Sequence, residues 1–147
     1  MENTVYFLPN SDARQSQIYF YIPMGDYNRE ENVRREAFNQ YISGGFSGLI
    51  MNEIREKNSM AYTAYGFASS RGLPGAQTYF SGYIGTQNDK AVDAIDLYMK
   101  LLTDMPERPG RIDNIKSYLR QSALTDHPDS RNLSLRIAEW KRRGYTD

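Results

Sequence analysis

Cysteine is absent from the 147-residue sequence, and histidine occurs once, as His127. The absence of cysteine excludes disulfide bonds and cysteine-ligated zinc sites. Zinc hydrolases of the common kinds bind their metal through two or more histidines, because neutral imidazole is the usual nitrogen ligand. A single histidine therefore argues against a metal site built from this chain alone. His127 precedes a proline, and we interpret it as a turn residue.

Net charge and long apolar runs are also absent. Lys plus Arg equals Asp plus Glu, at 18 each, so the formal net charge is zero. A balanced charge gives no electrostatic reason to expect binding to nucleic acid or to an anionic membrane. No apolar run approaches the roughly 18 residues of a membrane-spanning helix, and residues 1–20 lack the pattern of a signal peptide. We therefore expect neither nucleic acid nor a membrane as a partner.

The sequence does contain enough apolar material for one core. Hydrophobic residues make up 39% and charged residues 24%, which is typical of a globular domain. We expect a single domain over residues 1–147. The chain begins almost directly in a predicted strand and ends just after a predicted helix, so we interpret it as a truncated domain, a fragment of a larger multi-domain protein.

The sequence predicts strands over residues 3–8, 15–24, 61–68 and 77–85, the first from a short β-branched and aromatic run and the second from its alternation. The second of these is the clearest, because Ile18, Phe20 and Ile22 alternate with Tyr19 and Tyr21. That alternation is typical of a strand with one buried face.

A period of three to four residues predicts helices in the remaining segments. The first begins near residue 28 and ends at Gly44 and Gly45, and the second is capped by Ser47. Three more follow residue 86. The apolar stripes of the five helices are Val33, Ala37, Phe38, Tyr41 and Ile42; Leu49, Ile50 and Ile54; Val92, Ile95, Met99 and Leu102; Ile112, Ile115, Leu119 and Ala123; and Leu133, Ile137 and Trp140. This order predicts a two-layer α/β domain of the α+β class, with a largely antiparallel sheet and helices packed on one face.

Two motifs have ordinary structural interpretations. The glycine-rich stretch from Gly44 to Gly48 lacks the lysine of a phosphate-binding loop and follows a helix rather than a strand, so we interpret it as a helix end and re-entry. Glu53 and Glu56 lie three residues apart, but Lys57 and Arg55 neighbour them, which favours a solvated ion-pair face over paired catalytic carboxylates.

Arg55 and Tyr62 form the one pair with a functional interpretation. Arg55 lies near the end of a predicted helix and Tyr62 at the start of a predicted strand, with a turn at residues 58–60 between them. A guanidinium and a phenol in those places can converge on one polar site. From the residue types alone this remains weak, because arginine packing over tyrosine is common.

The segment GGFSGLIMNEIREKNSMAY, residues 44–62, resembles the signature of the second-half domains of pitrilysin/insulinase zinc metallopeptidases. Those domains have a glycine-rich helix break with a following serine, then a helix ending in Arg-Glu-Lys, then a small residue and a tyrosine that opens a strand. The matching residues here are Gly44, Gly45, Ser47, Arg55, Glu56, Lys57, Ala61 and Tyr62. One departure is Asn58-Ser59-Met60, which replaces the more usual Arg/Lys-Gly-Leu.

The resemblance implies a function for the pair. In that family two similar α/β halves enclose a chamber for unfolded peptides; the first half holds zinc through a His-x-x-Glu-His motif, and the second contributes the arginine and the tyrosine. This chain lacks that motif, so it resembles the non-metal half. The resemblance implies that this chain binds no cofactor and that its substrate is a peptide. It also implies that zinc is bound by a partner half-domain, which belongs to the same polypeptide or to a separate subunit. Arg55 and Tyr62 are then expected to bind substrate, and Tyr62 also to donate a hydrogen bond in the transition state.

Two other hypotheses stand beside this one. The chain can be a non-catalytic structural or binding module of the same fold, like the core subunits of respiratory complexes that resemble these peptidases. Retention of both Arg55 and Tyr62 favours the peptidase, because a scaffold does not need them. The third hypothesis, an unrelated α/β binding domain, requires the whole motif to be coincidental.

Overall fold

The structure, a computed structural model, describes residues 3–44 and 48–146. In these residues a three-stranded antiparallel sheet has the order β1-β3-β2, with β1 at Gln15–Asp26, β2 at Thr63–Ser70 and β3 at Gln77–Gln87. The α-helices are α1 (Asn32–Ser43), α2 (Ala91–Thr103), α3 (Pro109–Thr125) and α4 (Leu133–Arg142). A π-helical segment covers Met51–Lys57, and short 3-10 turns precede α1 and α2.

The helices cover one face of the sheet. Alternate residues of β3, such as Phe80 and Ile84, are buried on that face together with Ala64 of β2. Ile42 of α1 and Ile54 of the π-helical segment are completely buried in the same core. The prediction of an α+β domain with an antiparallel sheet and helices on one face is therefore confirmed.

Tyr98 of α2 lies at the centre of this core. Its ring stacks on Phe20 at a centroid distance of 4.3 Å, and its hydroxyl donates to the carbonyl of Tyr65 at 2.9 Å. Gly66 and Gly82 make the room: a Cβ added at Gly82 would lie 2.8 Å from Cζ of Tyr98, and one at Gly66 would overlap the hydroxyl. Burial raises the pKa of the Tyr98 phenol well above its usual range, so the ring stays neutral.

Side chains of α1 close the outer edge of β2. The Ser43 hydroxyl donates to the carbonyl of Gly66 at 2.8 Å and accepts from its N–H at 2.9 Å. One turn earlier, the Asn39 amide makes the same pair of bonds with Ala68, at 2.9 and 2.7 Å. Residues four apart on a helix thus match residues two apart on a strand. The two side chains satisfy backbone groups that an edge strand otherwise leaves open.

The opposite face of the sheet is largely aromatic, and Asp26 at the end of β1, paired with Gln77, lies on it as well. Tyr19 packs against Tyr83 at 5.1 Å, and Tyr65 stacks on the other side of Tyr83 at 5.2 Å. Tyr21 stacks on Tyr79 at 5.1 Å. This is the physical use of many of the tyrosines: the rings pack along a half-exposed sheet face while the hydroxyls stay in contact with water.

Three predictions about elements were wrong. Residues 3–8 are not a strand, and the side chains of Val5 and Leu8 are each 90% exposed. β-Propensity reflects packing against neighbouring strands, and this segment lies outside the sheet.

The buried stripe of α2 is Ala94, Tyr98 and Leu101 rather than the stripe containing Val92. The space that Gly66 and Gly82 leave for the ring of Tyr98 fixes the rotation of this helix. α3 and α4 carry no buried residue, although Ile115 packs against the core.

Candidate functional site

A tight turn joins the π-helical segment to β2 and sets the position of the candidate site. Met60 donates to the carbonyl of Ile54 at 2.9 Å, and the buried Thr86 hydroxyl donates to the carbonyl of Met60. Ser59 has a φ of +50°, a left-handed conformation that is uncommon outside glycine. The family pattern has glycine at this position, and glycine adopts a left-handed conformation without the steric cost of a Cβ.

Tyr62 follows this turn and is the residue immediately before β2. Its N–H donates to the carbonyl of Gly85 at 2.9 Å, which extends the β2–β3 pairing to the site. The side chain is 53% exposed, and its hydroxyl accepts a hydrogen bond from Nε2 of Gln87 at 2.9 Å. Because the hydroxyl is the acceptor in that bond, its own proton remains available for an oxygen of a ligand.

Arg55 lies on the last turn of the π-helical segment. Its Nε is 3.7 Å from Oε1 of Glu56, and the two side chains are 47% and 56% exposed. An exposed ion pair at that distance contributes little. The guanidinium thus keeps most of its hydrogen-bonding capacity for a ligand.

Arg55 and Tyr62 line the same open cavity, of about 340 Å³. The other residues around it are Glu56, Ser59, Met60, Ala61, Gln87 and Lys90. Lys90 reaches the turn from the other side of the cavity, where its Nζ donates to the carbonyl of Ser59 at 3.2 Å. The two residues singled out from the sequence are therefore neighbours in space, while their roles stay a prediction.

Gln87 and Lys90 were missed by the sequence reasoning. They follow Tyr62 by 25 and 28 positions. They reach the cavity because β3 pairs with β2 and ends at Gln87, and the 3-10 turn that follows β3 contains Lys90. The feature that could have identified these two residues is the antiparallel pairing of β2 with β3. It places the end of β3 beside the start of β2, and polar residues at that end are candidates for the same site.

The glycine-rich break is described only in part. Gly44 ends α1 as predicted, with its N–H bonded to the carbonyl of Gln40 at 2.9 Å, and a Cβ there would overlap that carbonyl oxygen. Its φ of −64° is extended rather than left-handed. The predicted roles of Gly45 and Ser47 lie outside the described residues.

Glu53 is ion-paired as interpreted from the sequence, but its side chain is only 14% exposed rather than solvated. Glu53 pairs with Lys57 at 3.0 Å and with Arg108. His127 is exposed in the connection between α3 and α4. Over residues 3–44 and 48–146 no group of three or more His, Asp and Glu side chains is arranged to hold a metal ion, and no helix there is long and apolar enough to cross a membrane. What the cavity offers is a set of hydrogen-bond donors on a fixed turn, suited to binding an oxygen acceptor.

An α+β domain whose helix-to-strand turn presents an arginine and a tyrosine is the arrangement expected of the non-metal half of a pitrilysin-type peptidase. The chain belongs to this family: the model of the peptidase M16 inactive domain matches residues 2–117. The resemblance to second-half domains is thereby confirmed.

Solved structures agree with this fold. The peptidase M16 inactive domain from Pseudomonas fluorescens superposes with a TM-score of 0.64 at 16% sequence identity, covering 91% of this chain and 32% of that one. A protease from Helicobacter pylori gives a TM-score of 0.66 at 15% identity, covering 92% and 33%. The chain thus spans about a third of the length of either protein. Comparison with curated protein sequences gives no match.

Proposed function

We propose that this domain is the substrate-binding, non-metal half of a zinc metalloendopeptidase that acts on unfolded peptides. In this proposal the domain contributes Arg55 and Tyr62 to an active site whose zinc is bound by another half-domain. The observation that carries it is the shared cavity, in which a guanidinium and a phenol converge on one space from the two sides of a tight turn.

The donor arrangement supports a division of roles. The side chain of Arg55 is 47% exposed, and its guanidinium suits a backbone carbonyl of bound peptide in both the ground state and the transition state. Tyr62 is held by the sheet through its N–H and by Gln87 through its hydroxyl. A fixed donor of this kind is suited to the oxyanion that develops at the cleaved carbonyl, because it needs no reorganisation during the reaction.

The metal half supplies what this chain lacks. The other half-domain would hold the zinc ion, which would supply the activated water needed for hydrolysis. Arg55 and Tyr62 then act only on the peptide: they orient its backbone and stabilise its charge. The domain is therefore expected to bind substrate without cleaving it.

The experiment compares the purified domain alone with the assembly formed by the domain and its zinc-bearing half. We expect the domain alone to retain no zinc after dialysis against a weak chelator and to leave a quenched fluorescent peptide intact, while the assembly cleaves the peptide. One zinc per chain after dialysis, or cleavage by the domain that survives repurification and excess chelator, would contradict the proposal. A zinc-loaded assembly that cleaves no peptide would instead favour the structural module.

A further inference from the structure

We infer that the cavity at Arg55 and Tyr62 contains a carboxylate subsite formed by Lys90 together with Arg55. The inference rests on the proposed function, because it concerns the peptide that the same cavity would bind. It adds a charge requirement: a peptide that presents a carboxylate at Lys90 binds better than the same peptide without it.

Lys90 is placed at the cavity by its position in the chain and by one side-chain hydrogen bond. Its backbone lies in the short 3-10 turn between β3 and α2, and its Nζ is bonded to the carbonyl of Ser59 at 3.2 Å. An ammonium group has three N–H donors, so the bond to Ser59 leaves two for a ligand. The turn at Ser59 therefore binds the ammonium group of Lys90 at the rim of the cavity, and two of its N–H donors remain free for a ligand.

The charges around the cavity favour an anion. Arg55 and Lys90 are cationic and Glu56 is the one carboxylate among the lining residues. Glu56 is half-exposed and lies 3.7 Å from Arg55, so it offsets one of the two positive charges and the lining keeps one net positive charge. Tyr62 adds a neutral donor.

The set of donors exceeds what a neutral peptide group needs. A backbone carbonyl has one oxygen and is satisfied by Tyr62 or by Arg55. A carboxylate has two oxygens and accepts about four hydrogen bonds, and bonds between ionised partners are the stronger ones. The ammonium group of Lys90 forms an ion pair only with a ligand that carries a carboxylate. Lys90 is therefore the residue that determines the preference for a charged ligand.

The size of the space limits the source of the carboxylate to a peptide end or one side chain. A cavity of about 340 Å³ is at the small end of the range for ligand sites, which is roughly 300–1,000 Å³. Two sources share the chemistry: the terminal carboxylate of a short peptide and the side chain of an aspartate or glutamate.

The test measures binding of two pairs of acetylated tetrapeptides to the 147-residue chain by NMR titration. The first pair is Ala-Ala-Phe-Ala with a free carboxylate and the same peptide as its amide. The second is Ala-Asp-Phe-Ala amide and its Asn counterpart. We expect one charged peptide to bind about fivefold more tightly than its neutral partner, and the pair that shows the preference identifies the source.

Lys90→Gln separates the subsite from the rest of the cavity. It should remove the preference for the charged peptide, because it lowers the affinity for the charged peptide much more than the affinity for the neutral one. Lys116→Gln is the matched control, because it removes the same charge from the exposed surface of α3 and should change neither affinity.

Each remaining outcome has a definite meaning. Equal binding of charged and neutral peptides by the wild-type chain overturns the subsite and leaves the proposed function standing. A Lys90→Gln chain that keeps the preference, or loses affinity for both peptides equally, also overturns the subsite. Binding of none of the peptides contradicts the peptide-binding function and the subsite with it.

Discussion

Ser59 has an unfavourable backbone conformation at the centre of the candidate site. At a φ of +50° the Cβ of an L-residue crowds the following carbonyl, which costs roughly 1–2 kcal/mol, whereas glycine has no Cβ. Part of the gain from glycine is offset by its greater freedom in the unfolded chain. The turn is nevertheless held, because its neighbour Met60 is bonded on both sides, to Ile54 and to Thr86.

We predict that Ser59→Gly raises the free energy of unfolding by about 0.5–1 kcal/mol. Chemical denaturation followed by circular dichroism measures this directly. Ser81→Gly is the control: Ser81 lies in the extended backbone of β3, where glycine should destabilise the fold by about the same amount. A Ser59→Gly chain that is no more stable than the wild type would contradict the prediction, because the strain at Ser59 would then not exceed the entropic cost of glycine.

At the residue scale, the sequence predicted the pair and missed its surroundings. Arg55 and Tyr62 are seven positions apart, so one local turn brings them together and a local motif is enough to find them. Gln87 and Lys90 join them only through the pairing of β2 with β3 and the start of α2. Such contacts depend on strand register, and the period of a strand carries no information about its partner.

At the scale of elements, the edge of β2 is closed by α1 rather than by another strand. The hydroxyl of Ser43 forms hydrogen bonds with both the N–H and the carbonyl of Gly66, and these replace the bonds that a neighbouring strand would form at that position. An unpaired buried backbone group costs about 1–3 kcal/mol. The stability of this layer should therefore depend strongly on one small polar side chain.

We predict that Ser43→Ala lowers the free energy of unfolding by about 1–3 kcal/mol, because it leaves the N–H and the carbonyl of Gly66 without that partner. Hydrogen exchange should increase first at the Gly66 amide. Ser117→Ala, on the exposed surface of α3, is the control and should change stability little. An unchanged stability together with unchanged protection of Gly66 would exclude this role of Ser43.

Elements with a strong period were predicted well, and elements that depend on a distant partner were not. The alternation in β1 and the burial of Ile50 and Ile54 follow directly from periodicity. The rotation of α2 does not, because it is set by a slot that Gly66 and Gly82 leave for Tyr98. The π-helical form of Met51–Lys57 was also missed, since an apolar period of three to four does not distinguish it from an α-helix.

At the scale of the whole molecule, the cavity and the core are built from the same elements. The π-helical segment buries Ile54 in the core and presents Arg55, the next residue, to the cavity. β3 buries Ile84 and ends at Gln87 beside Tyr62. The donors are thus fixed by the packing of the domain, and this is the property that a preorganised half-site requires.

The central claim is that this half-site acts on the substrate of a zinc centre held by another half-domain. Tyr62 tests it most directly, because Tyr62→Phe removes one hydroxyl while it keeps the ring and the backbone bond to Gly85. The half-exposed position predicts a small effect on stability, so turnover and melting temperature measured together separate catalysis from folding.

The decisive measurement is the turnover of a fluorogenic peptide by the assembly of this domain with its zinc-bearing half, with and without Tyr62→Phe. We predict that turnover falls by on the order of 10²–10³, as for the loss of one oxyanion donor, while the Michaelis constant and the melting temperature change little. Arg55→Ala should raise the Michaelis constant as well, because that residue binds substrate in the ground state too. Near-normal turnover by a well-folded Tyr62→Phe assembly would contradict the account.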